Sequence, residues 1–537
     1  MKKQREYEIR KKISTNINCR VQKEIKKYYK HYQNDIGMLL YYPLILMEKK
    51  FKNAEPLYIC AEPDRIATGW FLKELMNIGY KERLEFTFNE DDFFMYENVE
   101  YPSIKKLHND AQLANHIMDM KSMNKIVIEE SSPGKFDLYR AQIHNTYPKE
   151  AIYFLGIDDE DRYEQERNLV NEYLAMKYLL NYLNISTIKK LDAHVDVIAL
   201  NLSTRSAEVD IRKLGMDLCS EVINKYQELS LVLGYFKYLS FINLLIYNLR
   251  NLRYRIKEWE WICCYSQNWI IKKMKESTGL SKDTIQKYLE YFSFNTGKGS
   301  FCEFPLIKYD GKIFFNPSSF ILNDFQFSIV NGHYSKNIVI SNRQDTVSDS
   351  IIRNIVEQLK PLSNILNFTN QGYSFIGLDG KYDGEIDVGI YDVQSQYLLI
   401  LECKWKDNVF VPEENYKAIE DTVNKIYKQQ LMKHKKFIQV NKNNIKKCFK
   451  QEDWPIINID VDKIFYFAID KRCQFHTQDQ HLLSIYLFLY LIKKHMENSK
   501  LNLQDIIDEI QGMETTSTKE KLKTLKFKSY SLPDVCR

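Results

Sequence analysis

Three side chains in the C-terminal third, Asp387, Glu402 and Lys404, have the types and spacing for hydrolysis at a phosphate. They sit in two apolar runs, Gly384-Glu385-Ile386-Asp387-Val388-Gly389-Ile390-Tyr391 and Tyr397-Leu398-Leu399-Ile400-Leu401-Glu402-Cys403-Lys404. Alternate side chains of a strand share a face, so Glu402 and Lys404 are expected to point together while Leu401 and Cys403 turn into the core. Asp387 would stand likewise between inward Ile386 and Val388. Two carboxylates at the end of a buried hairpin suit a hard divalent cation, Mg²⁺ or Mn²⁺, which takes oxygen ligands and leaves waters available for reaction. A lysine beside them can orient a water and offset charge building on a phosphate. The alternative is an edge hairpin with solvated acids and a lysine whose stem lies along the surface.

The elements around these residues can be read from pattern. Asp392-Val393-Gln394-Ser395-Gln396 makes a turn between the two runs. Upstream, Ser348-Asp349 can cap a helix carrying Ile351, Ile352, Ile355, Val356 and Leu359 at helical spacing. Downstream, Ile419, Val423, Ile426 and Tyr427 define a stripe, and at about 100° per residue Gln430 falls near its centre whereas Gln429 does not. Lys463 to Ile469 reads as a strand and His481 to Lys494 as a closing helix.

Asp387 followed by Glu402-x-Lys404 resembles the active site of the PD-(D/E)XK nuclease superfamily, over roughly residues 345–500, with Ile386 in place of the proline that names it. The resemblance implies a core of helix, three strands, helix and strand. It also implies phosphodiester hydrolysis in which Asp387, Glu402 and the Cys403 carbonyl hold Mg²⁺ and Lys404 positions the attacking water. Glu357 or Glu385 would be an extra metal ligand, and Gln430 would hold the water or the phosphate. Glu357 reads equally as a solvated surface acid, and Gln430 as a satisfied core amide.

From Lys404 to Lys450 there are twelve lysines against five acids, whereas the whole chain of 537 residues carries a net charge of only +5. Such a patch draws nucleic-acid phosphates through counterion release, with Lys406, Lys433, Lys435 and Lys436 as the expected contacts. The same lysines would also serve simply to solvate helix faces. The near-neutral total argues against a histone-like or coat-like protein, and 44% hydrophobic with 13% aromatic residues excludes a disordered chain. Ten cysteines without a Cys-x-x-Cys pair fit a reducing cytoplasm. Cys473, His476 and His481 are too few for a standard four-ligand zinc site. Met1 to Arg5 precedes no apolar stretch of the signal-peptide kind, and Leu229 to Leu249, interrupted by Lys237 and Asn243, reads as a buried helix rather than a membrane span.

In the first two hundred residues Leu57–Cys60, Leu84–Phe88, Lys125–Glu129 and Ile152–Leu155 read as strands, with Val195–Leu200 a fifth. Helical patterns lie between the first three, at Gly69–Ile78 and Ile104–Met120. The alternation predicts a Rossmann-like parallel sheet with a ligand end at Ala61-Glu62-Pro63-Asp64-Arg65. There is no Gly-x-Gly-x-x-Gly, and Gly297-Lys298-Gly299-Ser300 lacks the upstream glycine of a phosphate loop, so ATP hydrolysis is not expected despite Ile126-Val127-Ile128-Glu129-Glu130. A helical stretch follows from about Glu164 to Lys275. Next, Trp269–Glu276, a turn at Thr278-Gly279, Ser281–Tyr291 and a Phe304–Asn316 hairpin around Asp310-Gly311 resemble a winged helix. Lys282 and Lys287 there are balanced by Asp283 and Glu290, which favours an architectural or dimerising role over reading a duplex. Gly512 to Arg537, rich in Thr, Ser and Lys, reads as a mobile tail.

The expected fold class is therefore α/β multidomain. A Rossmann-like sensor or partner-binding region spans 1–205, a helical and winged-helix-like region 206–340, a restriction-endonuclease-like αβββαβ core 341–500, and a tail 501–537. The expected function is a Mg²⁺-dependent endonuclease of DNA, with DNA favoured over RNA, acting as a bacterial anti-phage defence effector controlled by its N-terminal region. That region would take a nucleotide ligand or a protein partner, and the chain would be a cytoplasmic homo-oligomer with no membrane contact. The alternatives are a non-catalytic nucleic-acid-binding or assembly protein on a nuclease-like scaffold, and a cyclic-oligonucleotide-activated CRISPR-associated nuclease.

Overall fold

The computed structural model describes residues 2–33, 37–52, 61–82, 103–118, 126–132, 135–145, 169–170, 172–173, 197–212, 218–223, 225–251, 262–294, 301–321, 323, 325–343, 349–377, 380–405, 416–441, 460–471, 475–477, 479–513 and 515–526. The chain is mixed α/β and divides into two units, one made of 1–123, 159–342 and 528–537, the other of 124–158 and 343–527. The second unit thus takes in residues expected in the N-terminal region.

The first unit opens on a helix, Lys2–Tyr32, that the lysine-rich sequence did not suggest. Ile13, Ile17, Val21, Ile25 and Tyr29 recur every fourth residue and are buried, which is the stripe an amphipathic helix needs. Helices expected at Gly69–Ile78 and Ile104–Met120 are present as Ala61–Glu82 and Ile104–Met118. The parallel sheet is not found among the described residues. Ala61 to Arg65 forms the first turns of a helix rather than a loop after a strand, and of the expected strand Val195–Leu200 the described part, Val197 to Leu200, opens the helix Val197–Arg212. The β-branched start of that segment suggested a strand, but Ala199, Leu200, Ser203, Ser206 and Ala207 are among its buried positions and their spacing is helical. Leu57–Cys60, Leu84–Phe88 and Ile152–Leu155 lie outside the described residues.

Leu229 to Leu249 lies in the helix Tyr226–Asn251, whose Leu229, Val232, Leu233, Tyr235, Phe236 and Phe241 are buried. Gly234 lets it cross the Val197–Arg212 helix closely, since a Cβ there would come within 2.6 Å of Thr204 Cα. Lys237, buried at the same crossing, is ion-paired with Asp210. Among the described residues no helix is long and apolar enough to cross a membrane.

Further on, strand Cys263–Ser266, helices Gln267–Thr278 and Lys282–Tyr291, and the hairpin Ile307–Tyr309 with Lys312–Phe315 follow in order. The first helix ends on Gly279 at φ 74°, the second starts on Ser281, whose hydroxyl accepts the Thr284 N–H at 3.0 Å, and Asp310 and Gly311 turn the hairpin at φ 44° and 67°. The last strand, Lys312–Phe315, is central in the three-stranded sheet.

Behind these elements His333 is fully buried, its Nε2 2.8 Å from Ser220 Oγ and its Nδ1 2.8 Å from Tyr291 OH. Burial pushes its pKa from 6.5 down to about 4. The unfolded chain therefore binds more protons between those values, so this contribution to stability is complete above about 6.5 and lost as pH falls toward about 4.

In the second unit, β1 (Ile126–Ser132) and β2 (Lys135–Asn145) form an antiparallel hairpin. The expected strand at Lys125–Glu129 therefore exists, but a tight reversal follows it instead of a crossover helix. Then come α1 (Asp349–Leu359), β3 (Ile365–Gly377), β4 (Gly380–Asp392), β5 (Leu398–Lys404), α2 (Tyr416–Lys425), a π-helical turn at Ile426–Leu431, α3 (Met432–Val440) and β6 (Ile464–Asp470). Helix, three strands, helix and strand thus occur in the expected order. Two short strands, β7 (Phe475–His476) and β8 (His481–Ser484), precede α4 (Ile485–Lys494). The segment expected as one helix from His481 is a strand until Ser484, whose hydroxyl caps α4 by accepting the Leu487 N–H at 3.1 Å.

The sheet order is β7-β8-β6-β5-β4-β3, antiparallel from β3 to β5 and parallel from β5 through β6 to β8. A central strand covered on both faces reads as an unbroken apolar run. In β5, Leu398, Leu399, Ile400 and Leu401 are wholly buried, each worth about 1.5–3 kcal/mol. Before it, the expected turn is held by buried Asp392, which accepts from Asn364 Nδ2 at 2.8 Å, the Gln394 N–H at 2.9 Å and Ser395 Oγ at 2.6 Å. The described residues of the expected mobile tail form a helix and a strand. α5 (Leu503–Gln511) packs by Leu503, Ile506, Ile507 and Ile510, and β9 (Thr515–Lys526) pairs with β2 along its whole length. Its Thr-rich alternation suits a strand as well as a tail.

Two outcomes follow from this packing. Gly389 of β4 lies under the Phe368 ring, and a Cβ there would come within 2.1 Å of it. Gly389→Ala should lower the unfolding free energy by about 1–3 kcal/mol in denaturant titration, since the ring has to leave its place. In thermal melts from pH 7 to 5, His333→Gln should lose stability less steeply than the unaltered protein, and an unchanged slope would refute the account of His333.

Candidate active site

The β4–β5 ladder runs from Tyr391↔Leu398 to Val388↔Leu401 and ends there, while β5 continues along β6 as far as Lys404↔Asp470. Past Leu401 one edge of β5 therefore needs other partners. Asp387 supplies one: its Oδ2 accepts the Cys403 N–H at 2.6 Å. A side chain thus stands where the next backbone acceptor would have been.

A break in strand alternation brings Asp387 to that point. Phe368 covers Gly389 and Tyr373 covers Gly384, and both rings belong to the cluster around Phe437. Positions five apart on a regular strand face opposite ways, so both strands reverse their faces between these pairs. The reversal lies at Asn370, which has φ 50° and stands opposite Asp387, between the pairs Thr369↔Val388 and Gln371↔Ile386.

Asp387, Glu402 and Lys404 converge. Lys404 Nζ is ion-paired with Glu402 Oε1 and lies 3.8 Å from Asp387 Oδ2. The Glu402 side chain is only 4% exposed, whereas that of Lys404 is 34% exposed and opens the group to solvent. Burial alone would raise the Glu402 pKa, but the hydrogen bond from His434 and the charge of Lys404 outweigh it and hold the carboxyl below its ordinary range. Asp387 is pushed up to about 7, first by burial and then by the neighbouring Glu402 charge. Lys404 is raised, because the two carboxylates overcome its own desolvation. One ionised carboxylate, one carboxyl poised to lose its proton and one cation thus share a half-open end of the sheet.

The other expected residues are placed unequally. Glu385 is exposed on β4 and its charge acts on Asp387. Glu357 is exposed on α1 and ion-paired with Lys360. Cys403 is buried, its N–H on Asp387 and its thiol pKa pushed well up by burial. Gln430 is half-buried in the π-helical turn and Gln429 exposed. Lys433 is half-buried, Lys435 and Lys436 are exposed on α3, and the Lys436 ammonium stands 5.5 Å from the Tyr382 ring centre. Lys406 and Cys473 lie outside the described residues, and His476 and His481 are buried with pKa values lowered to about 3 and 4.

The residue of this helical segment that meets Glu402 is His434, which the sequence reading passed over. It is buried, with Nε2 2.9 Å from Glu402 Oε2 and Nδ1 2.6 Å from Tyr373 OH. A π turn adds one residue to the repeat, so the inward stripe continues through Leu431, His434 and Ile438. The signal was there, since His434 stands three residues from both Leu431 and Phe437, but three neighbouring lysines made the stretch look like a solvated face.

Two carboxylates suit an ion such as Mg²⁺, which keeps most of its waters and needs only one or two protein carboxylates. A closed site is not formed: among the described residues no group of three or more His, Cys, Asp or Glu is placed to hold a metal. No family model, no curated protein and no solved structure matches this chain.

Proposed function

We propose that the second unit is a metal-dependent nuclease of the PD-(D/E)XK kind, hydrolysing phosphodiester bonds of nucleic acid, with DNA favoured. The observation that carries the reading is the convergence of Asp387, Glu402 and Lys404 where β4 and β5 part, with Lys404 within 3.8 Å of Asp387 and in contact with Glu402. The order of helix, three strands, helix and strand around them supports it. So do the lysines of α3, the helix that brings His434 to the same site.

In this reading Asp387 and Glu402 hold Mg²⁺ or Mn²⁺, which when bound makes a water more acidic and offsets charge on the leaving oxygen. Lys404, the most exposed of the three, meets the scissile phosphate and orients the attacking water. Its ammonium starts on Glu402, so substrate and cation take over a charge pairing that already exists. Lys433, Lys435 and Lys436 draw in the backbone without reading sequence. The first unit, with its helix–turn–helix and hairpin segment at 263–315, acts as a regulatory or partner-binding region.

Purified full-length protein with plasmid and Mg²⁺ should nick or cut, and EDTA should abolish the activity. Lys404→Ala and Asp387→Ala should each reduce the rate about 100-fold or more; undiminished cutting by either variant would reject the assignment. Replacing Lys433, Lys435 and Lys436 together by Ala should weaken binding to all sequences alike and make the logarithmic salt dependence shallower by about 3, roughly 1 per phosphate contact. An unchanged salt slope in filter binding would remove these lysines from the interface.

A further inference from the structure

Hydrolysis as set out above needs Asp387, Glu402 and Lys404, yet the structure also sets buried His434 on Glu402 and half-buried Tyr373 behind it. A carboxylate only accepts, so His434 Nε2–H donates to Glu402 Oε2 at 2.9 Å. Its other ring nitrogen, Nδ1, is hydrogen-bonded to the Tyr373 hydroxyl at 2.6 Å. Tyr373 is kept protonated for this, its pKa raised by burial and by the Glu402 charge. Both rings are packed. His434 is 3% exposed, and Tyr373 stacks on Phe437 at 4.1 Å between ring centres and 12° between planes.

The consequence for Glu402 is asymmetric. Oε2 is turned to the interior and held by the hydrogen bond from buried His434. Oε1 faces the partly exposed Lys404 and the Asp387 side. Glu402 is therefore set to offer Oε1 to a cation, with Oε2 committed to His434.

We infer that His434, oriented by Tyr373, is a positioning residue that holds Glu402 to one-oxygen coordination and thereby selects a small octahedral cation, Mg²⁺ or Mn²⁺, against Ca²⁺. Mg²⁺ binds through single oxygens of one or two carboxylates and keeps its waters, whereas Ca²⁺ takes six to eight oxygens and gains from carboxylates that chelate with both. Freeing Oε2 removes the restriction and favours the larger ion. This inference rests on the nuclease reading in one respect: both need Asp387 and Glu402 to hold a divalent cation.

The test reads metal binding directly, without substrate. Mn²⁺ binding to full-length protein is followed by electron paramagnetic resonance, with Ca²⁺ added as competitor, for the unaltered protein and for His434→Ala, His434→Gln, Tyr373→Phe and Asp387→Ala. In His434→Ala the preference for Mn²⁺ over Ca²⁺ should fall about 10-fold or more, the scale on which such outer partners act on metal sites. His434→Gln, whose amide N–H can reach the same oxygen, should recover much of the preference, and Tyr373→Phe should lose part of it. His434→Ala or Tyr373→Phe that binds Mn²⁺ with the original preference over Ca²⁺ would overturn the inference and leave the nuclease reading standing. Should His434→Ala fail to fold, Tyr373→Phe decides the matter alone. Absence of Mn²⁺ binding by the unaltered protein, or undiminished binding by Asp387→Ala, would overturn both.

Discussion

An ionised carboxylate almost without solvent, at the end of four wholly buried aliphatic residues, can persist only if the protein supplies the charge and hydrogen bonds that water would have given. Glu402 is in that position, and what surrounds it follows from the need. Lys404 answers one oxygen and His434 the other. Removing either contact would leave a buried charge short of a partner, so both constrain the end of the sheet. The same compensation divides the roles of the two acids. With Glu402 held in its charged form, the mutual repulsion falls on Asp387, whose pKa rises toward neutrality.

The backbone meets this requirement by ending a ladder early. β4 pairs with β5 as far as Val388 and then reverses its face at Asp387, opposite the left-handed Asn370. Continued pairing would have given the Cys403 N–H a carbonyl partner; the Asp387 carboxylate takes that place instead. Gly389 and Gly384 carry no side chain because the rings of Phe368 and Tyr373 lie on them, and those rings connect the strand pair to α3 and so to His434. Core packing and site geometry are in this sense one arrangement. The ring that orients His434 also packs on Phe437, the face of the helix that carries it.

Legibility in the sequence follows from how local each determinant is. Glu402 and Lys404 could be read because strand alternation fixes their faces within a few residues, whereas Asp387 joins them through the reversal opposite Asn370, which no period-two pattern marks. His434 was harder to read, because neighbouring lysines hide its spacing from Leu431 and Phe437 and the π turn shifts it off a 100° projection carried on from Ile419. The expected strand at Val195 to Leu200 gave way for a different reason. Short β-branched runs such as Val195 to Leu200 satisfy strand and helix patterns alike, and the packing of Gly234 against Thr204 decides for helix at a separation the pattern cannot see. Lys125 to Glu129 was read correctly as a strand, but its partners come from Lys135 to Asn145 and from Thr515 to Lys526.

That last pairing bears on how the molecule is put together. β9 finds its ladder on β2, nearly four hundred residues earlier in the chain, and Asp137 of β2 holds Thr524 and Lys521 of β9 through its carboxylate. The unit bearing the site is thus closed by two segments, 124–158 and 343–527, between which the chain leaves to build much of the first unit. A fragment beginning at residue 343 would leave twelve residues of β9 with unpaired N–H and C=O groups, the kind of open edge that pairs with other chains. The site-bearing unit therefore cannot be complete until residues on both sides of the excursion have been made.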